Sequence, residues 1–175
     1  MEEFSVKEWL NYYFERFDID ENRIKPILYF SLLWNLFENT YFTDDNHLSA
    51  PKLIKLSELS YEALNDDELN PIFDFFKNRY YQNLIINNRF NLLQIHQHHI
   101  ELCREILIKD IPTKLEKTKF LFLVIHRFRN NLFHGRKTPR TLNIYEDAFN
   151  RINSFLMKFI ESTSENDKIN NNRKI

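Results

Sequence analysis

The residues best suited to chemistry lie in one short stretch, RFRNNLFHG, at residues 127–135. It holds two arginines, two asparagines and a histidine, and it closes on Gly135, the only glycine in the chain. Histidine moves protons near neutral pH, and arginine binds phosphate and stabilises the charge that builds up in a transition state. This combination suits phosphodiester chemistry. With RNA, the 2′-hydroxyl can serve as an internal nucleophile, so no metal is required.

The stretch ends a helix that is predicted over residues 114–134. Four apolar residues recur at helical spacing and predict its buried face: Leu121, Ile125, Phe128 and Leu132. Gly135 is typical of the left-handed residue that stops a helix, which would leave His134 at the C-terminal end. There the helix dipole favours a protonated imidazole.

Helical spacing brings some of these polar residues onto one face. Arg127, Asn131 and His134 lie at i, i+4 and i+7, and Asn130 also precedes His134 by one turn. Arg129 lies five residues before His134, about 140° around an ideal helix. That pair can act together only if the last turn unwinds or if two copies share a site. Spacing alone favours a helix end whose polar groups cap carbonyls and meet water.

The sequence RNNLFH resembles the Arg-x(4–6)-His signature of the HEPN superfamily, often written Arg-Asn-x-x-x-His, with Arg129 and His134 at its ends. Arg127 satisfies the looser form. A second similarity is the early segment LYFSLLWNLFENTY, where HEPN proteins often carry an aromatic pattern of the Phe-x-x-x-Trp-x-x-Phe-Asn kind. Five residues roughly fill that pattern: Phe30, Trp34, Phe37, Glu38 and Asn39.

The resemblance implies an all-α, HEPN-like helical bundle in a single domain, usually dimeric, with two Arg-His motifs facing each other across a cleft. It implies a metal-independent endoribonuclease of phage defence or of a toxin–antitoxin system, leaving 2′,3′-cyclic phosphate and 5′-hydroxyl ends. Arg129 would hold or polarise the phosphate, His134 would act as acid or base, and Asn130 would place the RNA or the arginine. Some HEPN domains are non-catalytic, so an RNA-binding or protein-interaction module is the alternative.

We therefore expect Arg129 and His134 to be catalytic, with no cofactor and no metal. The expected substrate-binding residues are Asn130, Arg127, Asn131 and Arg136. Arg136 stands where HEPN toxins paired with nucleotidyltransferase antitoxins commonly carry a tyrosine, so regulation through modification of such a tyrosine is not expected. The expected partners are RNA, a second copy of the chain forming a homodimer, and an antitoxin or other defence-system protein.

The rest of the sequence predicts further helices and short breaks. Helices are expected over 6–17 with Ser5 as N-cap, from Pro26 to near Phe42, over 56–65, from Pro71, over 90–109 and over 142–161. Residues 18–23 and 43–51 are expected to be non-helical. The tail lacks apolar periodicity, which predicts a domain over residues 1–162 and a disordered segment over 163–175.

Composition narrows the class of protein. A chain of 175 residues is typical of one domain, and its scarce glycine disfavours a hairpin-rich fold. One cysteine excludes an internal disulfide and fits a reducing compartment. With no signal-peptide pattern and no membrane-length apolar run, we expect a cytoplasmic protein without a membrane partner.

Charge is distributed unevenly along the chain. The net charge is −1, yet residues 104–140 hold ten Lys or Arg against three Asp or Glu. This predicts either a basic face or ordinary solvated helix surfaces.

Three further features have alternative interpretations. The histidines at 96, 98 and 99 are expected inside a helix, where His96 and His99 are three residues apart and could share a metal, but a solvated or interface face is favoured. Cys103 is more typical of a small buried hydrophobe than of a nucleophile. Arg79, Tyr80 and Tyr81 could stack on bases, although packing between helices is favoured.

Overall fold

The computed structural model describes residues 6–16, 20–42, 48–133 and 143–164. The helices of these ranges are α1 Val6–Arg16, α2 Glu21–Tyr41, α3 Ala50–Ser60, α4 Asp66–Tyr80, α5 Asn88–Asn91, α6 Gln97–Ile108, α7 Lys114–Phe133 and α8 Glu146–Thr163. Short 3₁₀ turns span Tyr61–Ala63 and Asn143–Tyr145. The prediction of an all-α protein is confirmed. Within the described ranges, no helix is long and apolar enough to cross a membrane.

Helix α7 runs through the core of the protein. All residues from Phe120 to Ile125 are buried, so this part of the helix is enclosed on every side and not along a single stripe. It packs against α3, α4 and α6, while α2 packs against α8. Of the predicted buried face, Leu121, Ile125 and Phe128 are buried and Leu132 is partly buried against the core. The last turns of α7 therefore continue directly from a buried, closely packed part of the same helix.

An aromatic cluster joins α2, α7 and α8. The ring of Phe122 lies 5.6 Å from that of Phe37, 5.2 Å from that of Phe155 and 4.9 Å from that of Phe159, measured between centroids. These are the tilted and edge-to-face arrangements that aromatic rings prefer. Because Phe37 is fixed against α7, its neighbour Glu38 is brought beside the C-terminal part of the same helix.

Two helices begin earlier than the sequence predicted. The Asp20 side chain accepts a hydrogen bond from the Asn22 N–H at 2.9 Å and caps α2, so residues 21–23 are helical and not part of a break. In the same way the Asn65 side chain caps α4. Pro26 and Pro71 therefore lie inside these helices and do not open them. Helix α3 likewise begins at Ala50, inside the predicted loop, whereas residues 43–47 lie outside the described part.

The prediction of a single helix over residues 90–109 is wrong. The chain forms α5 and then α6, separated by a segment in which Gln94 has a left-handed backbone, with φ of 55°. His96 is the N-cap of α6, and its Nδ1 accepts a hydrogen bond from the His98 N–H at 3.4 Å. The three neighbouring histidines therefore lie at the N-cap and in the first turn of a helix, and not in its middle. This places them near the end of α7.

A minimal hairpin follows α4. Strands β1 Tyr81–Gln82 and β2 Ile85–Ile86 pair antiparallel. The turn residues Asn83 and Leu84 have positive φ values of 51° and 63°, so the turn forms without glycine. Helix α8 runs from Glu146 to Thr163, close to its predicted bounds. Ser5, Phe17 and the tail from residue 165 onward lie outside the described residues.

Candidate functional site

The C-terminal half of α7 borders a cavity of about 500 Å³. The start of α3 and the start of α6 form its other walls. Three of the sequence-predicted site residues line it: Arg127, Arg129 and Asn130. A fourth, Asn131, lines a different cavity beside α7, together with Arg79 and Arg89. His134, Gly135 and Arg136 lie outside the described residues, which end on this helix at Phe133.

Arg129 is held loosely. One of its terminal nitrogens, Nη2, lies 3.7 Å from Glu38 Oε1, and its Nη1 donates to Asn130 Oδ1 at 3.3 Å. The guanidinium also lies 5.5 Å from the centroid of the Phe133 ring. The described part of the chain offers no acceptor for its buried Nε–H. Since a third of the side chain is exposed, the guanidinium keeps donors with which it can bind an anion.

His126 extends this polar arrangement by one turn. Its Nε2 lies 3.3 Å from Asn130 Nδ2, and because the amide nitrogen is a donor, the imidazole accepts and is neutral. Burial, with the cations of Arg127 and Arg129 and the nearby His99, lowers the pKa of His126 to about 4. Burial and the neighbouring imidazoles also lower the pKa of His99. The order along this face is therefore His126, Asn130, Arg129 and Glu38.

Arg127 and Asn131 bind the backbone of the segment that precedes α6. Arg127 Nε donates to the Leu93 carbonyl at 2.9 Å, and Arg127 Nη2 lies 3.5 Å from Asn131 Oδ1. Asn131 is buried and its Nδ2 donates to the same carbonyl at 3.4 Å. Their predicted i, i+4 proximity is thus observed. Together they hold the segment that leads into α6, and with it the three histidines, against α7.

The three histidines at the start of α6 are close to one another. The rings of His96 and His98 are stacked with centroids 5.0 Å apart, and His99 lies 6.5 Å from His96. All three line the cavity with His126. Among the described residues, no group of three His, Cys, Asp or Glu side chains has the geometry to hold a metal ion.

Two of the other features, Cys103 and Tyr80, are parts of the core. Cys103 is fully buried, and burial raises the pKa of its thiol to about 12. Tyr80 is also buried, with its ring against Phe76 and Phe90. Arg79 lies over the ring of Tyr145 at 5.6 Å. Packing, the favoured interpretation of Tyr80, is confirmed.

Sequence reasoning overlooked His126 as a site residue. The signal was present, because His126 precedes Arg129 by three residues and Asn130 by four, which puts all three on one helical face. Glu38 was noted only as part of the aromatic segment. Its approach to Arg129 joins residues 91 positions apart, a contact that no local pattern can reveal.

No protein-family model matches this sequence, and no significant match was found among curated proteins or solved structures. The fold defines an all-α protein. The site adds a cavity of cationic and imidazole character at the end of its central helix.

The low pKa of His126 predicts a pH-dependent stability. Below about pH 6.5 the unfolded chain protonates this histidine, whereas the folded chain resists protonation down to about pH 4. The free energy of unfolding is therefore highest above pH 6.5 and falls as the pH drops. Between pH 7 and 4.5, the free energy of unfolding of His126→Gln should fall by about 1–2 kcal/mol less than that of wild type. Urea unfolding across that range measures it, with His98→Gln as the control for loss of an exposed imidazole. Parallel curves for wild type and His126→Gln would refute the assignment.

Proposed function

We propose that this protein is a HEPN-type, metal-independent endoribonuclease that acts as a homodimer in phage defence or in a toxin–antitoxin system. It cleaves RNA to 2′,3′-cyclic phosphate and 5′-hydroxyl ends. Arg129 and His134 carry the chemistry, and the partner in the cell is an antitoxin or another defence-system protein.

One observation supports this proposal above the others. Arg129 lines a cavity whose described walls contain arginine and histidine side chains but no carboxylate, and it precedes His134 by five residues in the sequence. The pairing with Glu38 is long and partly exposed, so it is worth about 0–1 kcal/mol. A phosphate can replace it at small cost. Asn130 meanwhile supports the guanidinium through Nη1.

The reaction follows from these groups. The 2′-hydroxyl oxygen attacks the adjacent phosphorus as a base removes its proton, and the bond from phosphorus to the 5′-oxygen breaks. The leaving oxygen takes up a proton, which gives the 5′-hydroxyl end and the cyclic phosphate. His134 serves as the base or the acid, and a second copy of the motif across a dimer supplies the other role. Arg129 stabilises the negative charge on the phosphoryl oxygens.

An exposed apolar face on α2 favours a second candidate, a non-catalytic module that binds RNA or a partner protein. Four side chains on this helix are about half exposed or more: Leu28, Tyr29, Leu32 and Leu36. Contiguous exposed apolar surface of this kind marks interaction sites. The Arg129 site would then recognise RNA and cleave nothing.

The test is cleavage of a defined single-stranded RNA in excess EDTA by wild type and by His134→Ala. Wild type should cleave, and 2′-deoxy substitution at the cleaved nucleotide should abolish the reaction because the nucleophile is gone. The products should carry cyclic phosphate and 5′-hydroxyl ends. His134→Ala should lose activity at unchanged melting temperature, and sedimentation should show a dimer. RNA binding without cleavage would favour the second candidate, and activity that depends on added metal would exclude the proposed mechanism.

A further inference from the structure

The cavity beside Arg129 is larger than one phosphate requires. Its volume of about 500 Å³ is within the range of small-molecule sites, about 300–1,000 Å³. One part is apolar, formed by Leu48, Pro51, Ile95 and Leu123. The remainder is polar, so a ligand that fits must combine an apolar ring with an anionic group.

The polar part favours an anion for several independent reasons. It holds two guanidinium groups and four imidazoles, and none of its described lining side chains is a carboxylate; Glu38, which lies 3.7 Å from Arg129, is not part of the lining. Two helices of more than ten residues, α3 and α6, begin at this cavity and direct the positive ends of their dipoles towards it. Ser49, the N-cap residue of α3, makes no side-chain cap hydrogen bond. In addition, the buried Arg129 Nε–H has no acceptor among the described residues.

The geometry points to a nucleotide-binding site: we propose that the phosphate lies between Arg129 and the starts of α3 and α6. The base lies against Ile95 and Leu123, beside the imidazole of His126. The bound nucleotide is the one next to the cleaved phosphodiester of an RNA substrate, and in that form the inference rests on the proposed function. A free mononucleotide has the same chemistry, and the experiment separates the two sources.

Binding is measured calorimetrically on the full chain at pH 7, so that no readout depends on cleavage. The probes are the four ribonucleoside 5′-monophosphates, inorganic phosphate, and a short single-stranded RNA made uncleavable by 2′-O-methylation. Ala50→Phe places a ring in the cavity without removing a charge, and Ala63→Phe makes the same change on a 3₁₀ turn that does not line the cavity. His98→Ala is a second cavity variant, at a position that is exposed and not part of the core.

We expect Ala50→Phe and His98→Ala to weaken nucleotide or RNA binding by about tenfold or more, and Ala63→Phe to stay within about twofold of wild type. Binding of the RNA alone identifies the source as the substrate, and binding of mononucleotides alone identifies a free ligand; each supports the site. Phosphate that binds as tightly as any nucleotide would overturn it, as would no binding of any probe or unchanged affinity in both cavity variants. If such a failure accompanies intact cleavage, only this inference falls. Nucleotide binding without cleavage would remove the proposed function and leave the site.

Discussion

Replacing Arg129 with alanine should lower the rate of RNA cleavage by about 10²–10³-fold, the usual effect of removing one preorganised donor to a developing negative charge. The fold should survive. The Glu38 pair is long and partly exposed, and the Asn130 contact is replaceable by water, so the free energy of unfolding should change by about 1 kcal/mol or less. Single-turnover cleavage and urea unfolding of the same preparation measure the two quantities.

Arg127→Ala is the matched control, because it makes the same change two residues away on the same helix and in the same cavity wall. From its contacts we expect the opposite result: a larger loss of stability and a smaller loss of cleavage than for Arg129→Ala. Its Nε bonds to the Leu93 carbonyl at 2.9 Å and its Nη2 contacts the buried Asn131. Its loss should therefore cost about 1–3 kcal/mol of stability and less than about tenfold in cleavage rate. If Arg127→Ala abolishes cleavage at full stability and Arg129→Ala is harmless, the functional arginine has been misassigned.

The distinction between these two arginines was not available from the sequence. Both satisfy the Arg-x(4–6)-His spacing, and Arg127 has the better helical register with His134. What separates them is the carbonyl of Leu93, 34 residues away, whose position depends on how the segment before α6 folds back onto α7. That fold-back uses the left-handed Gln94, and glutamine has no strong preference for such a backbone. A continuous helix over residues 90–109 was therefore the natural but wrong prediction.

Other parts of the fold were readable because their determinants are local. The long apolar run predicted α7, which is helical up to Phe133, the last described residue of this range, whereas its predicted end at His134 and Gly135 lies outside the described residues. The starts of α2 and α4 were also local, but Asp20 and Asn65 were overlooked in favour of Pro26 and Pro71. A side-chain cap satisfies the first N–H groups of a helix, so it outranks a proline several residues later.

The central aromatic cluster supports the second large effect. Phe122→Ala should lower the free energy of unfolding by about 3–5 kcal/mol, because it leaves a cavity and removes the ring contacts that join α2, α7 and α8. For a chain of this size, the melting temperature should fall by roughly 10 °C. Phe133→Ala deletes the same atoms from the same helix where the side chain is 54% exposed, and it should cost less than about 1 kcal/mol.

Chemical denaturation of both variants at constant m-value provides the comparison. Equal destabilisation would contradict the central position of Phe122.

The cluster also affects the site, because Phe37 packs on Phe122 while Glu38, the next residue, approaches Arg129. Loosening the cluster disturbs the packing of α2 on α7, the helix that carries Arg129, and so shifts Arg129 within the cavity. The Phe122→Ala variant should therefore also lose cleavage activity at temperatures below its melting transition. A variant that kept full activity there would show that the aromatic cluster holds the fold without positioning the site.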